Sequence, residues 1–128
     1  MTQLYTGLIG HAETVVTEEN TALTMGSGSL PVFATPAMTA LMEQAAWQSI
    51  QPFLEPGQGS VGTRLEVSHL AATALGKTVR AESELIQIDR RRLVFAVRAY
   101  CGDTLIGEGR HERFVVDEAR FLAKLERD

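Results

Sequence analysis

The chain changes its apolar period at Glu55-Pro56-Gly57, and that change most constrains the fold. Ahead of it, Met38, Leu41, Met42, Ala45, Ala46 and Phe53 recur at helical spacing and form one broad apolar stripe. Behind it the spacing is two: Val61, Thr63, Leu65, Val67, His69 and Ala71 share one face of a strand, and Gly62, Arg64, Glu66 and Ser68 share the other. Three further strands follow at residues 78–88, 93–100 and 105–116, separated by short polar or glycine turns. Strands joined so briefly pair antiparallel. A long one-sided helix beside such a sheet has one good way to bury its stripe, which is to lie against the sheet.

The ends of the pattern are marked as well. Thr35 reads as a helix N-cap and Pro36 as the first helical residue, where a missing N–H costs nothing. Pro52 sits awkwardly near the helix end. Residues 4–17 read as an extended segment and Glu18-Glu19-Asn20 as a turn, while Met25-Gly26-Ser27-Gly28-Ser29-Leu30-Pro31 is too glycine-rich for a regular element. Asp117-Glu118 opens a short terminal helix with Phe121, Leu122 and Leu125 as its apolar positions. The expected class is α+β, with one domain over residues 1–128. One helix cannot cover every edge and face of such a sheet, so at least a homodimer is expected.

Composition narrows the function. A formal charge of -4 argues against a nucleic-acid surface, which needs a concentrated basic face. The single cysteine, Cys101, cannot form an internal disulfide and fits a reducing, cytoplasmic setting as an inert thiol. No apolar run approaches the roughly 18 residues of a membrane span, and Met1-Thr2-Gln3-Leu4-Tyr5 lacks the marks of a signal peptide. His11, His69 and His111 have no metal-ligand spacing and no cysteine cluster accompanies them, so no metal is expected.

Three side chains suit acyl transfer. Thr35 offers a hydroxyl, Glu43 a carboxylate on the border of the helix stripe, and His69 an imidazole on the apolar face of a strand. Acyl transfer needs a nucleophile, a base and donors for the oxyanion. His69 is the natural base, because its unperturbed pKa lies near working pH. Glu43 can orient the imidazole, activate a water or attack directly; Thr35 can attack or position water. The amides of the first helical turn can hold the oxyanion. Each residue also has a plainer reading: Thr35 as a cap, Glu43 as a solvated border residue, His69 as a core histidine. His111 shares a face with Arg113, Gly109 and Gly107 and reads as packing, with a place in the lining of the same pocket as the alternative. Arg90-Arg91-Arg92 reads as a solvated turn, with a patch for the phosphates of a small anionic ligand as the alternative.

These residues carry a resemblance. Ala34-Thr35-Pro36, Glu43, Val61-Gly62-Thr63 through Val67-Ser68-His69-Leu70-Ala71-Ala72-Thr73, Arg91-Arg92-Leu93-Val94-Phe95, and Gly107-Glu108-Gly109-Arg110-His111-Glu112-Arg113-Phe114-Val115-Val116 resemble the fluoroacetyl-CoA thioesterase-like family over most of residues 30–117. The resemblance implies a hotdog fold, an antiparallel sheet wrapped around one long central helix, with a short C-terminal helix besides. It implies an acyl-CoA thioesterase with Thr35, Glu43 and His69 as catalytic residues, Gly62 lining the acyl pocket and Arg113 near it. It also implies a homodimer or larger homo-oligomer with the site between subunits. Phe33 and Met38 are expected to shape the acyl pocket, and no cofactor is expected, CoA being part of the substrate. The family's aromatic gating residues precede the Ala-Thr-Pro motif; here that segment is Gly26 to Leu30, and Phe33 is the only aromatic nearby. The expected substrate is therefore a small or aromatic acyl-CoA, not necessarily a fluorinated one.

Two other functions compete. A hotdog hydratase or dehydratase places an acid and a histidine close together in sequence, and no histidine lies near Glu43. A non-catalytic acyl-CoA-binding protein of the same fold would keep the pocket and lack turnover.

Overall fold

The computed structural model describes residues 3–127. Five strands form one antiparallel sheet: β1 (Ile9–Val15), β2 (Gln58–His69), β3 (Thr78–Asp89), β4 (Arg92–Cys101) and β5 (Thr104–Asp117), in the spatial order β1-β3-β4-β5-β2. A four-residue helix, α1 (Ala22–Met25), precedes the long α2 (Thr35–Ile50), and α3 (Glu118–Glu126) follows β5. The helix α2 contacts all five strands. This is the hotdog arrangement that the resemblance implied.

The helix lies where its stripe requires. Met38, Leu41, Met42, Ala45, Ala46 and Ile50 are buried on it, against Leu85, Leu93, Phe95, Val97 and Ile106 of the sheet. Its start differs from the sequence reading. Ala34, not Thr35, is the N-cap, it makes no side-chain cap bond, and Thr35 is already helical. The threonine hydroxyl is thus free for another partner. At the other end Pro52 falls in a single 3-10 turn, Gln51–Phe53, where the helix has already ended.

Strand β2 also departs from strict alternation. Gly62 pairs with Arg113 and Arg64 with Glu112, so Thr63 is an extra residue in a bulge. The bulge reverses the phase of the strand. Gly62 faces the helix with Leu65, Val67 and His69, whereas Val61 pairs with the exposed Phe114 on the outer face.

Strands β1 and β2 are the sheet edges. The exposure of Thr63–Glu66 is continuous along β2, and Leu65 is 37% exposed there. Such a long free edge is a template for another strand. Among the described residues no helix is long and apolar enough to cross a membrane.

The helix can approach β1 because of Gly10. A Cβ there would run into the Ala45 carbonyl and come within 2.7 Å of Ser49 Cβ and Ser83 Oγ. Backbone cannot yield as a flexible side chain does. Gly10→Ala should therefore cost about 1–3 kcal/mol as an overpacked contact, seen as a melting temperature lower by roughly 4–12 °C. An unchanged melting temperature would contradict this account of the helix seat.

Candidate active site

Two polar clusters lie along α2. The first is at its N-terminus. Thr35 Oγ1 and His69 Nδ1 are 2.7 Å apart, joining the first residue of α2 to the last residue of β2. His69 Nε2 is buried with no partner in hydrogen-bond geometry, and the Ala71 backbone is the polar group it leans on. Burial pushes the His69 pKa below the ordinary imidazole value, and the Ala71 backbone opposes that shift in part. A neutral ring with its proton on Nε2 presents the Nδ1 lone pair to the threonine hydroxyl, which then donates. Thr35 itself is exposed, so its oxygen is open to a ligand.

Beside this pair is a cavity of about 310 Å³, lined by Ala22, Ser27, Phe33, Leu70 and Ala72. Its walls come from the glycine-serine segment and from the turn after β2. Phe33 is buried and also borders a larger groove of about 680 Å³ between β1 and α2, with Val15, Met25 and Ala40. Met38 is wholly buried and packs its sulfur against Gly107, so it belongs to the core under the site.

The second cluster surrounds Glu43, two turns further on. Glu43 Oε2 lies 3.7 Å from Arg113 Nη1 and 4.0 Å from His111 Nε2. Arg113 is buried and tied down: Nε donates to Ser60 Oγ at 2.8 Å and Nη2 to the Ser60 carbonyl at 2.9 Å. Burial lowers its pKa, and the Glu43 carboxylate opposes that. His111 is buried too, with Nδ1 2.8 Å from the Arg64 carbonyl and Nε2 3.2 Å from Arg113 Nη1. Gly62 supplies room. A Cβ there would stand 2.8 Å from Glu43 Oε2, 3.2 Å from His111 Cε1 and 3.4 Å from Arg113 Nη1.

Of the residues predicted from sequence, the structure brings Thr35 to His69, and it brings Glu43 to Arg113 and Gly62. It does not bring Glu43 to the first pair. Thr35 and Glu43 are eight residues apart on one rigid helix, or about 12 Å along its axis. Two members of the second cluster escape the sequence reading. His111 reads there as packing, and Ser60 carries no signal because the bulge at Thr63 hides which face it shares. Among the described residues, no three His, Cys, Asp or Glu side chains converge as a metal site requires.

Comparisons with known proteins show the family. The sequence pattern of the FlK family, fluoroacetyl-CoA-specific thioesterase, matches residues 16–119. The chain belongs to this family. The fluoroacetyl-CoA thioesterase of Streptantibioticus cattleyicolor is 47% identical over 94 residues, covering 73% of this chain and 68% of that relative. The solved structure of the FlK fluoroacetyl-CoA thioesterase superposes with a TM-score of 0.93 at 37% identity, over 99% of this chain and 98% of that one. A thioesterase superfamily member from Thermus thermophilus gives 0.91 at 35% identity, over 99% and 94%. Within the family fold, the matched span holds every residue of both clusters.

The buried imidazoles have a consequence for stability. Burial, first of all, holds His111 below its ordinary value, with Arg113 adding to the shift and the Arg64 carbonyl, Glu43 and Glu112 opposing it. The unfolded chain therefore binds a proton more readily than the folded one. Stability is full above about pH 6.5 and declines as pH falls below it toward the folded-state value. Thermal unfolding followed from pH 7.5 to 5.5 should show that decline, and His111→Gln should make it shallower. Parallel curves for the two proteins would remove His111 as its source.

Proposed function

We propose that the chain is an acyl-CoA thioesterase, hydrolysing a small or aromatic acyl thioester at a site completed by a second copy of itself. The observation that carries this is the hydroxyl–imidazole contact between Thr35 and His69 at the mouth of a cavity. The fluoroacetyl-CoA thioesterase of S. cattleyicolor supports the reaction class. The segment Gly26 to Leu30, without an aromatic residue, leaves the acyl end roomier than a gated one.

The second copy follows from distance and charge. Glu43 is too far along α2 to reach its own His69. Strand β2 offers a free edge, and a two-fold axis at Leu65 would pair Arg64 with the partner's Glu66 and Glu66 with the partner's Arg64. Centred on Glu66, the same ladder would set like charges opposite each other, which costs stability. The Leu65 centre runs the His69 end of β2 beside the partner's Gly62, and therefore beside the partner's Glu43. Interfaces of this kind are self-complementary by symmetry.

The chemistry then has a place for each group. His69 Nδ1 takes the Thr35 proton as Oγ1 attacks the thioester carbonyl. The amides of Thr35 and Ala37, which have no partner within the helix, face the developing oxyanion. Collapse breaks the C–S bond, the imidazolium protonates the departing thiolate, and free CoA leaves. A water then gives its proton to His69 and attacks the acyl-threonine; the acyl C–Oγ1 bond breaks, the imidazolium returns the proton to Thr35 and the acid leaves, while the partner's Glu43 stabilises the imidazolium and orients that water. The reaction needs no cofactor beyond the CoA of the substrate. The free thiol of Cys101 fits a reducing cytoplasm.

Three outcomes test this reading. Purified protein should release CoA thiol from acyl-CoAs, detected with a thiol-reactive dye, and His69→Ala should slow release about 100- to 10,000-fold. Equal rates would leave a binding protein rather than an enzyme. Mixing strongly impaired Thr35→Ala and Glu43→Gln subunits should restore about a quarter of the wild-type rate, since half of the random dimers hold one intact site. No restoration would refute the shared site. Finally, the depressed His69 pKa keeps the base neutral in mild acid, so the acid limb of kcat/KM should fall below about pH 6.5. A limb well above that value would exclude His69 as the base.

A further inference from the structure

Three groups behind Glu43 have no part in the scheme above, and two of them are buried. His111 is 1% exposed and Arg113 7% exposed, and Ser60 joins them from β2. A buried guanidinium is costly unless its donors are matched. Here Nε and Nη2 are taken by Ser60, which fixes the plane of the group and leaves Nη1 directed at His111 Nε2 and Glu43 Oε2.

The imidazole can play only one role in this arrangement. Its Nδ1 is 2.8 Å from the Arg64 carbonyl, and a carbonyl accepts, so Nδ1 carries the proton and donates. Nε2 is then bare and accepts from Arg113 Nη1 at 3.2 Å. A proton on Nε2 would face a guanidinium that only donates. The tautomer is therefore set by two backbone-anchored partners. Stacking on Phe95, with ring centroids 6.0 Å apart, holds the ring plane.

We infer that His111 is a positioning residue: locked by the Arg64 carbonyl as the Nδ1–H tautomer, it holds the Arg113 guanidinium against Glu43 and so fixes the carboxylate presented to the partner's site. Glu43 is 39% exposed at its side chain and would otherwise sample several rotamers in water. Its bare Nε2 has no proton to offer the carboxylate 4.0 Å away, so His111 acts through the Arg113 cation, whose Nη1 is 3.7 Å from it. Gly62 completes the seat by leaving the carboxylate room. The inference rests on the shared-site reading for its effect on turnover, although the seat itself does not.

The test separates the two. His111→Leu keeps apolar volume and removes the acceptor; His111→Gln keeps an acceptor near the Nε2 position. His111→Leu should lower kcat about 10- to 100-fold, the usual scale for a residue that orients an active group, with KM changed less than about threefold. His111→Gln should recover most of that loss. In a Glu43→Gln background, His111→Leu should cost nothing more. An equal loss in both backgrounds would overturn the inference while leaving the thioesterase reading intact. If Glu43→Gln alone left turnover unchanged, the shared-site reading would fail instead. The seat can still be judged on the wild-type protein by 15N NMR of the histidine rings. A protonated Nδ1 and bare Nε2 at His111 is the result expected, and the opposite tautomer would overturn the inference whatever the kinetics. Should His111→Leu not fold, Ser60→Ala, which frees the guanidinium from β2, should give the same kcat loss at unchanged KM; full activity would count against the seat.

Discussion

The close seat of α2 on the sheet is the contact on which everything else depends. Gly10 and the alanines at 45 and 46 are small where the helix meets the strands, and the larger Met38, Leu41, Met42 and Ile50 fill the space to either side. A helix held this way behaves as a ruler. It fixes Thr35 over the end of β2 and Glu43 over the middle of β5, and neither can slide without breaking the core. The separation of the two polar clusters is therefore a property of the fold and not of a side-chain rotamer.

The same seat explains how a chain of net charge -4 keeps a buried arginine. Removing a guanidinium from water costs several kcal/mol unless its donors are matched. Arg113 donates one hydrogen bond from each of its three nitrogens, to a hydroxyl, a carbonyl and an imidazole nitrogen, and faces a carboxylate at 3.7 Å. Replacing such a cluster by apolar residues often costs no stability, so its presence is better explained by the seat inferred for Glu43 than by what it adds to folding. Exposed pairs such as Arg64 with Glu66, at 2.7 Å on the free edge, contribute little to the single chain by comparison.

Much of this was legible in the sequence. The helix stripe, the change of period at Gly57 and the short turns specify one helix on an antiparallel sheet, because each signal is local and repeated. Thr35, Glu43 and His69 stand out because a reactive group at an element boundary or on an apolar face is unusual. What was not legible depended on single residues. The extra residue at Thr63 reverses the phase of half a strand without altering its composition, which hides Ser60 and misplaces Gly62. The cap at Ala34 contradicts side-chain preference, since the threonine that would cap best has its hydroxyl drawn to His69 instead. Local propensity yielded there to a tertiary contact, as it commonly does where a site is built.

The bulge and the edge belong to one design. An uncovered strand of twelve residues invites uncontrolled pairing. Thr63 breaks its regularity, and the opposite charges of Arg64 and Glu66 flanking Leu65 would favour one register in the proposed dimer. In the proposed dimer, a second copy in that register would cover the edge with the same geometry that would bring a carboxylate to a hydroxyl–imidazole pair. On this account the edge that would make the isolated chain prone to misassembly is also the half of the site it lacks. Dimerisation and catalytic competence would then share one interface, and a change at Leu65, remote from every reacting atom, would act on both.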